Sequence, residues 1–132
     1  MKISTLAVAV VLLCIILPIT GCRTAPVNNL ENIAISGSSK NLTMGKVESA
    51  IKKACHYHGW TTKKIKPGLI EATLLIRSHK AVVNIPFNTK RYSINYKSST
   101  NLDYDGKNIH SQYYVWVRNL RKRIDFEIEN ME

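Results

Sequence analysis

Between Trp60 and Lys97 the apolar residues return at every second position, and short turn signals cut the run into four. Ile70, Ala72, Leu74 and Ile76 share one parity, and Ala81, Val83, Ile85 and Phe87 share the next. Tyr92, Ile94 and Tyr96 then alternate against Arg91, Ser93, Asn95 and Lys97. A period of two puts such residues on one face of a pleated strand. Strands are therefore predicted over Trp60–Lys66, Leu69–Arg77, Ala81–Phe87 and Arg91–Lys97. The turns Pro67-Gly68, Ser78-His79-Lys80 and Asn88-Thr89 are too short for crossovers, so successive strands must run antiparallel. Pro86 has no N–H to give a ladder, which predicts an edge or a bulge at that point.

Helical periodicity brackets this meander. Val47, Ala50, Ile51, Ala54, Cys55 and His58 fall on one helical face, with Thr43 as N-cap and His58-Gly59 as a C-terminus. Glu48 and Lys52 are spaced to pair on the outer side. Near the other end Ile109, Tyr113, Trp116, Val117, Leu120 and Ile124 keep a 3.6 period, predicting a helix from about Asn108. Its opposite side carries Arg118, Arg121 and Lys122, and the tail Asp125–Glu132 is expected to be frayed or lightly docked through Phe126 and Ile128. A short first strand is expected over Asn32–Ser36 and a loop over Gly37-Ser38-Ser39-Lys40; Ser98–Asn108 reads as irregular, with turn chemistry at Asp103–Gly106. The fold class is α+β, in the order (β)αββββα: a four- to five-stranded antiparallel meander with two amphipathic helices on one face.

Ahead of this domain the chain opens Met1-Lys2, runs apolar from Leu6 to Leu17, and exits through Pro18-Ile19-Thr20-Gly21-Cys22. A positive start, an apolar stretch and a small-residue exit describe a secretory signal peptide. A membrane-spanning anchor needs about 20 apolar residues, and Pro18 and Gly21 interrupt this run. An ordinary signal peptide with a coincidental Cys is the other alternative. Ile19-Thr20-Gly21-Cys22 resembles the lipobox of bacterial lipoprotein precursors. The resemblance covers the leader alone. It implies cleavage of residues 1–21, acylation of Cys22 and attachment to a membrane through that lipid. Residues 22–30, with Pro26, then read as a tether, and 31–132 as a single α+β domain. In lipoproteins of two-membrane bacteria an Asp directly after the acylated Cys retains the protein in the inner membrane. Arg23 stands there instead, so the resemblance implies the outer membrane, facing the periplasm. The element order is also similar to that of small envelope lipoproteins such as the lipopolysaccharide-assembly lipoprotein, a likeness of fold that says little about function.

Charge narrows the partners. The chain holds 19 Lys+Arg against 9 Asp+Glu, a formal +10, and loss of Lys2 with the leader lowers this to +9. Such an excess attracts polyanions over long range. For an exported, tethered domain these are anionic lipid, lipopolysaccharide, cell wall or an acidic envelope protein. Nucleic acid is not expected, since no nucleic-acid motif is present. Of the cysteines, Cys14 leaves with the leader, Cys22 carries lipid and Cys55 is alone, so no intrachain disulfide is expected.

Candidate chemistry is sparse. Cys55-His56-Tyr57-His58 holds zinc-type ligands, but His79 and His110 lie in other elements and the spacing fits no standard motif. Cys55 is a core position rather than an accessible thiol. Asp103, Asp105 and Asn108 do not match a calcium loop, because Gly106 and Tyr114 fall at the wrong places. No nucleophile elbow, phosphate loop or zinc-protease motif occurs, and Glu71 is the only acid between Glu48 and Asp103. No catalytic residue, metal or other cofactor is therefore assigned. The basic residues are the remaining signal: Lys63, Lys64 and Lys66 on one strand; Arg77, Lys80, Lys90, Arg91 and Lys97 on or beside the hairpins; Arg118, Arg121, Lys122 and Arg123 on the last helix. Residues of like parity are expected to gather on the helix-free side of the sheet. That side is either an anionic-ligand patch or a solvated surface whose charges discourage edge pairing. The functions that follow are a binding or assembly accessory, a structural subunit of an envelope or secretion complex, and, with least support, a hydrolase or thiol enzyme.

Overall fold

The computed structural model describes residues 23–36 and 41–131. The leader 1–21, Cys22, the loop Gly37-Ser38-Ser39-Lys40 and Glu132 lie outside the described residues. Strands β1 (Thr24–Pro26) and β2 (Leu30–Ala34) come first, followed by helix α1 (Met44–Tyr57). Strands β3 (Thr61–Lys66), β4 (Leu69–Ile76), β5 (His79–Pro86) and β6 (Arg91–Thr100) form the meander. A short β7 (Asn108–His110) and helix α2 (Gln112–Glu129) complete the described chain. The main sheet is antiparallel in the order β2-β6-β5-β4-β3, and β1 pairs with β7 in a second, two-stranded sheet.

The alternation places Ile70, Ala72, Leu74, Ala81, Val83, Ile85, Tyr92 and Ile94 under the helices. Helix α1 answers with Val47, Ala50, Ile51, Ala54 and Cys55, and α2 with Tyr113, Val117, Leu120, Ile124 and Ile128. One core results, closed on one side of the sheet only. The ends of α1 are set locally. Thr43 Oγ1 accepts from Lys46 N at 3.2 Å, satisfying one of the first-turn donors. At the other end Gly59 adopts φ +79°, Gly59 N donates to His56 O (3.1 Å) and Trp60 N to Cys55 O (2.8 Å). That pair of bonds is a Schellman closure, and it turns the chain directly into β3. The helices are clasped where Arg123, ion-paired with Glu127 at 2.7 Å, lays its guanidinium 3.7 Å over the Tyr57 ring.

Several expectations are corrected. Residues 22–30 are not a free tether: Thr24, Ala25 and Pro26 pair with His110, Ile109 and Asn108. The first main-sheet strand begins at Leu30, earlier than Asn32, and Asn32 (φ 53°) sits at its irregularity. The β4–β5 hairpin turns on Arg77-Ser78 alone, since Ile76 already pairs with His79. Pro86 lies neither at an edge nor at a bulge but at the last position of central strand β5, where Phe87 N resumes the ladder by donating to Gly68 O. Strand β6 runs on to Thr100, and Ile109 belongs to β7, so the helix starts later, at Gln112. The acidic tail is helical to Glu129, because Ile128 is buried and Asp125 Oδ1 accepts a 2.6 Å hydrogen bond from the Tyr92 hydroxyl.

Two substitutions test this account by urea unfolding. Tyr92→Phe removes only the hydroxyl and is expected to cost about 1 kcal/mol, whereas Tyr92→Ala opens the core and is expected to cost roughly 3–5 kcal/mol. Gly68 holds φ +80°, and a Cβ there would stand 3.0 Å from Phe87 O. Gly68→Ala is therefore expected to cost at least about 1–2 kcal/mol.

Candidate anionic-ligand face and hairpin end

The sheet face without helices is built by the positions that alternate with the core. Strand β3 contributes Thr61 and Lys63; β4 contributes Glu71, Thr73 and Leu75; β5 contributes Lys80, Val82 and Asn84. Strand β6 brings Lys97 to the same side, two residues on from Asn95 opposite Asn84, and its Nζ donates to Glu71 Oε2. The Glu71 carboxyl is held below its ordinary range, first by that hydrogen bond and then by the charges of Lys97, Lys63 and Lys80. Three lysines thus share one acid, which leaves the centre of this face cationic.

The ten basic residues expected to form a patch do not all meet. Lys63 and Lys97 lie on the open face. Lys64 has the opposite parity and reaches Glu48 of α1 at 3.0 Å. Lys66 stands at the β3–β4 turn. Lys90 and Arg91 begin β6 near the same end, their backbone N–H groups donating to Asn88 Oδ1 at 2.7 and 2.8 Å. Arg77 is at the tip of the β4–β5 hairpin, at the far end of the sheet. Arg118, Arg121 and Lys122 are exposed on α2, on the helix side of the sheet, with Arg121 3.7 Å from Asp125. Lys80, one of the cations beside the hairpins, joins Lys63 and Lys97 on the open face.

The residues outside this face have local explanations. The Cys55 thiol is buried, and burial pushes its pKa up to about 12. His58 caps α1 and packs edge-on against Tyr57, with ring centres 5.0 Å apart. Asp105 Oδ1 accepts from Lys107 N (2.9 Å) and Asn108 N (2.7 Å), bonds that hold its own turn and keep its carboxyl below the usual range. Among the described residues no three His, Cys, Asp or Glu side chains gather as metal ligands. Among the same residues no helix is long and apolar enough to cross a membrane.

Seven large apolar side chains are exposed among the described residues, Met44, Tyr57, Ile65, Leu75, Ile76, Tyr104 and Phe126, and two of them are neighbours in sequence. Leu75 is 67% exposed and Ile76 40% exposed, at the end of β4 beside the Arg77-Ser78 tip. Ile76 shares the parity of Leu74 but lies at the end of β4, beyond the buried positions. The signal was present: Leu74-Leu75-Ile76 breaks the alternation with three consecutive apolar residues.

No protein-family model matches this chain, no curated protein matches it, and no solved structure matches its fold.

Two outcomes follow from these environments. Native protein at pH 8 is expected to leave Cys55 unmodified by a thiol reagent, with full modification after denaturation; mass spectrometry reads both states. Glu48 is likewise held below its ordinary range, by hydrogen bonds from Lys52 and Lys64. Because the folded carboxyls of Glu48 and Glu71 titrate below their unfolded value, their contribution to stability is complete above about pH 4.5 and is lost as pH falls through the lowered folded values. Urea midpoints measured from pH 6 to pH 3 are expected to fall less steeply in the Glu48→Gln, Glu71→Gln double variant.

Proposed function

We propose that the chain is a membrane-anchored envelope lipoprotein without catalytic activity, a binding or assembly accessory that engages an anionic envelope component or an acidic partner. The observation that carries this reading is the apolar run Leu6–Leu17 ending at Ile19-Thr20-Gly21-Cys22, which resembles a lipobox. Cleavage ahead of Cys22 and acylation of that residue give the anchor. Two or three acyl chains hold a protein to a bilayer, where a single chain is only marginal. The positive charge of the remaining chain supports an anionic ligand, and so does the crowding of Lys63, Lys80 and Lys97 around Glu71. With Arg23 in the place of a retention Asp, the outer membrane is the proposed site in a two-membrane host.

Intact mass of the protein recovered from membranes tests the anchor. The expected mass is that of a chain beginning at acylated Cys22, and Cys22→Ala is expected to accumulate unprocessed precursor. A mature chain that starts elsewhere and carries no lipid would end the reading. The cationic face is tested separately by retention of the detergent-solubilised protein on heparin, an immobilised polyanion. Retention is expected at low salt and not at high salt, and to weaken by about fivefold for each of Lys63→Gln, Lys80→Gln and Lys97→Gln.

A further inference from the structure

The start of the described chain and the β4–β5 hairpin tip lie at the same end of the molecule. Ser111 N donates to Arg23 O at 2.7 Å, and His110 N donates to Leu102 O at 2.8 Å. The next residue, Asn101, accepts at its carbonyl from His79 Nδ1 (2.6 Å) and donates through its side chain to Ser78 Oγ (2.7 Å). A series of three hydrogen-bonded contacts thus links Arg23 to the tip. What precedes Arg23 is Cys22 and the apolar run Leu6–Leu17. Whether the leader is cut and replaced by acyl chains or retained, the chain's most lipid-soluble part attaches at this end.

The tip itself has the chemistry of a membrane contact. Leu75 and Ile76 project on opposite faces of β4 beyond the core and are exposed. Arg77 forms the turn in the left-handed region (φ 56°), where glycine is the unstrained choice. Lys80 pairs across from Leu75, and Arg23 is exposed at the same end. None of these three cations has an ion-pair partner among the described residues. Glu71 lies within electrostatic reach of Lys80 but makes its ion pair with Lys97. Apolar side chains beside unpaired cations match a layer whose surface is anionic and whose interior is hydrocarbon.

We infer that this end, with Leu75, Ile76, Arg77, Lys80 and Arg23, docks the domain onto the surface of an anionic phospholipid bilayer, the hairpin tip entering the headgroup layer. The inference adds an orientation and a second membrane contact to the proposed anchoring at Cys22, on which it rests. Docked this way, the strands of the main sheet stand off the membrane, and the turns at Pro67-Gly68 and Asn88-Thr89 point away from it.

Protein recovered from membranes and reconstituted into vesicles provides the test. Ser78→Cys and, as the far-end control, Lys66→Cys are each labelled with the environment-sensitive dye NBD; buried Cys55 stays unlabelled in the native state. In vesicles containing phosphatidylglycerol, NBD at position 78 is expected to shift to the blue and to resist aqueous quencher, while NBD at position 66 stays in water. The same label in Leu75→Ser, Ile76→Ser protein is expected to lose at least about tenfold in its docked-to-undocked ratio. Arg77→Gln and Lys80→Gln are each expected to lose about fivefold. Flotation with vesicles at high salt reports the acyl anchor independently. Protein that floats while position 78 remains in water overturns the docking and leaves the anchor standing. Protein that fails to float at high salt overturns the anchor, and position 78 still reports on docking at low salt: a blue shift there supports it and its absence overturns it.

Discussion

The β4–β5 ladder holds its register without a break, from Leu69 opposite Pro86 to Ile76 opposite His79. Because side chains alternate along each strand, one unbroken register decides both faces of the sheet at once. Ile70, Ala72, Leu74, Ala81, Val83 and Ile85 are committed to the helices, and Glu71, Thr73, Leu75 and Lys80 to the other side. A slip of one residue would bury Glu71 and Lys80 and expose the core. The helices follow from this constraint, since neither buries its apolar stripe without the surface that the ladder presents. Tyr92 extends the same logic to β6: its ring fills the core and its hydroxyl reaches Asp125 on α2.

Charge is distributed by the same parity. Lys63 and Lys64 are neighbours in sequence, yet one faces the open sheet and the other pairs with Glu48 beneath α1. Glu48, Glu71, Asp125 and Glu127 each hold a cation within 4 Å. These pairs are half-exposed and individually worth little, about 0–1 kcal/mol. Their larger effect is to occupy acids locally, so the excess of positive charge falls to residues such as Arg77, Lys80 and Arg118 that lack a paired carboxylate among the described residues.

The strongly periodic parts were legible in the amino-acid order: α1 with both caps, the meander, and the antiparallel order of its strands. The three-residue strands were not. Thr24–Pro26 and Asn108–His110 are too short to show a period, and each becomes a strand only because the other is present. Ile109 misled for a specific reason. It stands four residues before Tyr113 and so continues the helical spacing, although it pairs in β7 and the helix begins only at Gln112. Of the cationic face, the sequence did not separate Lys63 from Lys64, because the partner of Lys64 lies on another element. The hairpin end was less legible still, because its membership depends on Asn101, Leu102 and His110 meeting across long sequence separations.

Pairing of Thr24–Pro26 with β7 changes what an anchor at Cys22 implies. A tether of nine residues lets a domain wander and rotate above a bilayer. Here Arg23 alone separates Cys22 from the first strand residue, and its carbonyl is already bonded to Ser111 N. One extended residue spans about 3.5 Å, so the anchor and the Arg23 end of the domain cannot part by much. Short links give the second of two contacts a high effective concentration. On the docking inferred above, a surface of two apolar side chains and three cations is held to the bilayer more firmly once the chain is anchored beside it. With an anchor at Cys22, that short link would tie the Arg23 end of the domain to the membrane. The pairing of β1 with β7 is therefore what would make the proposed anchor bear on the orientation of the domain.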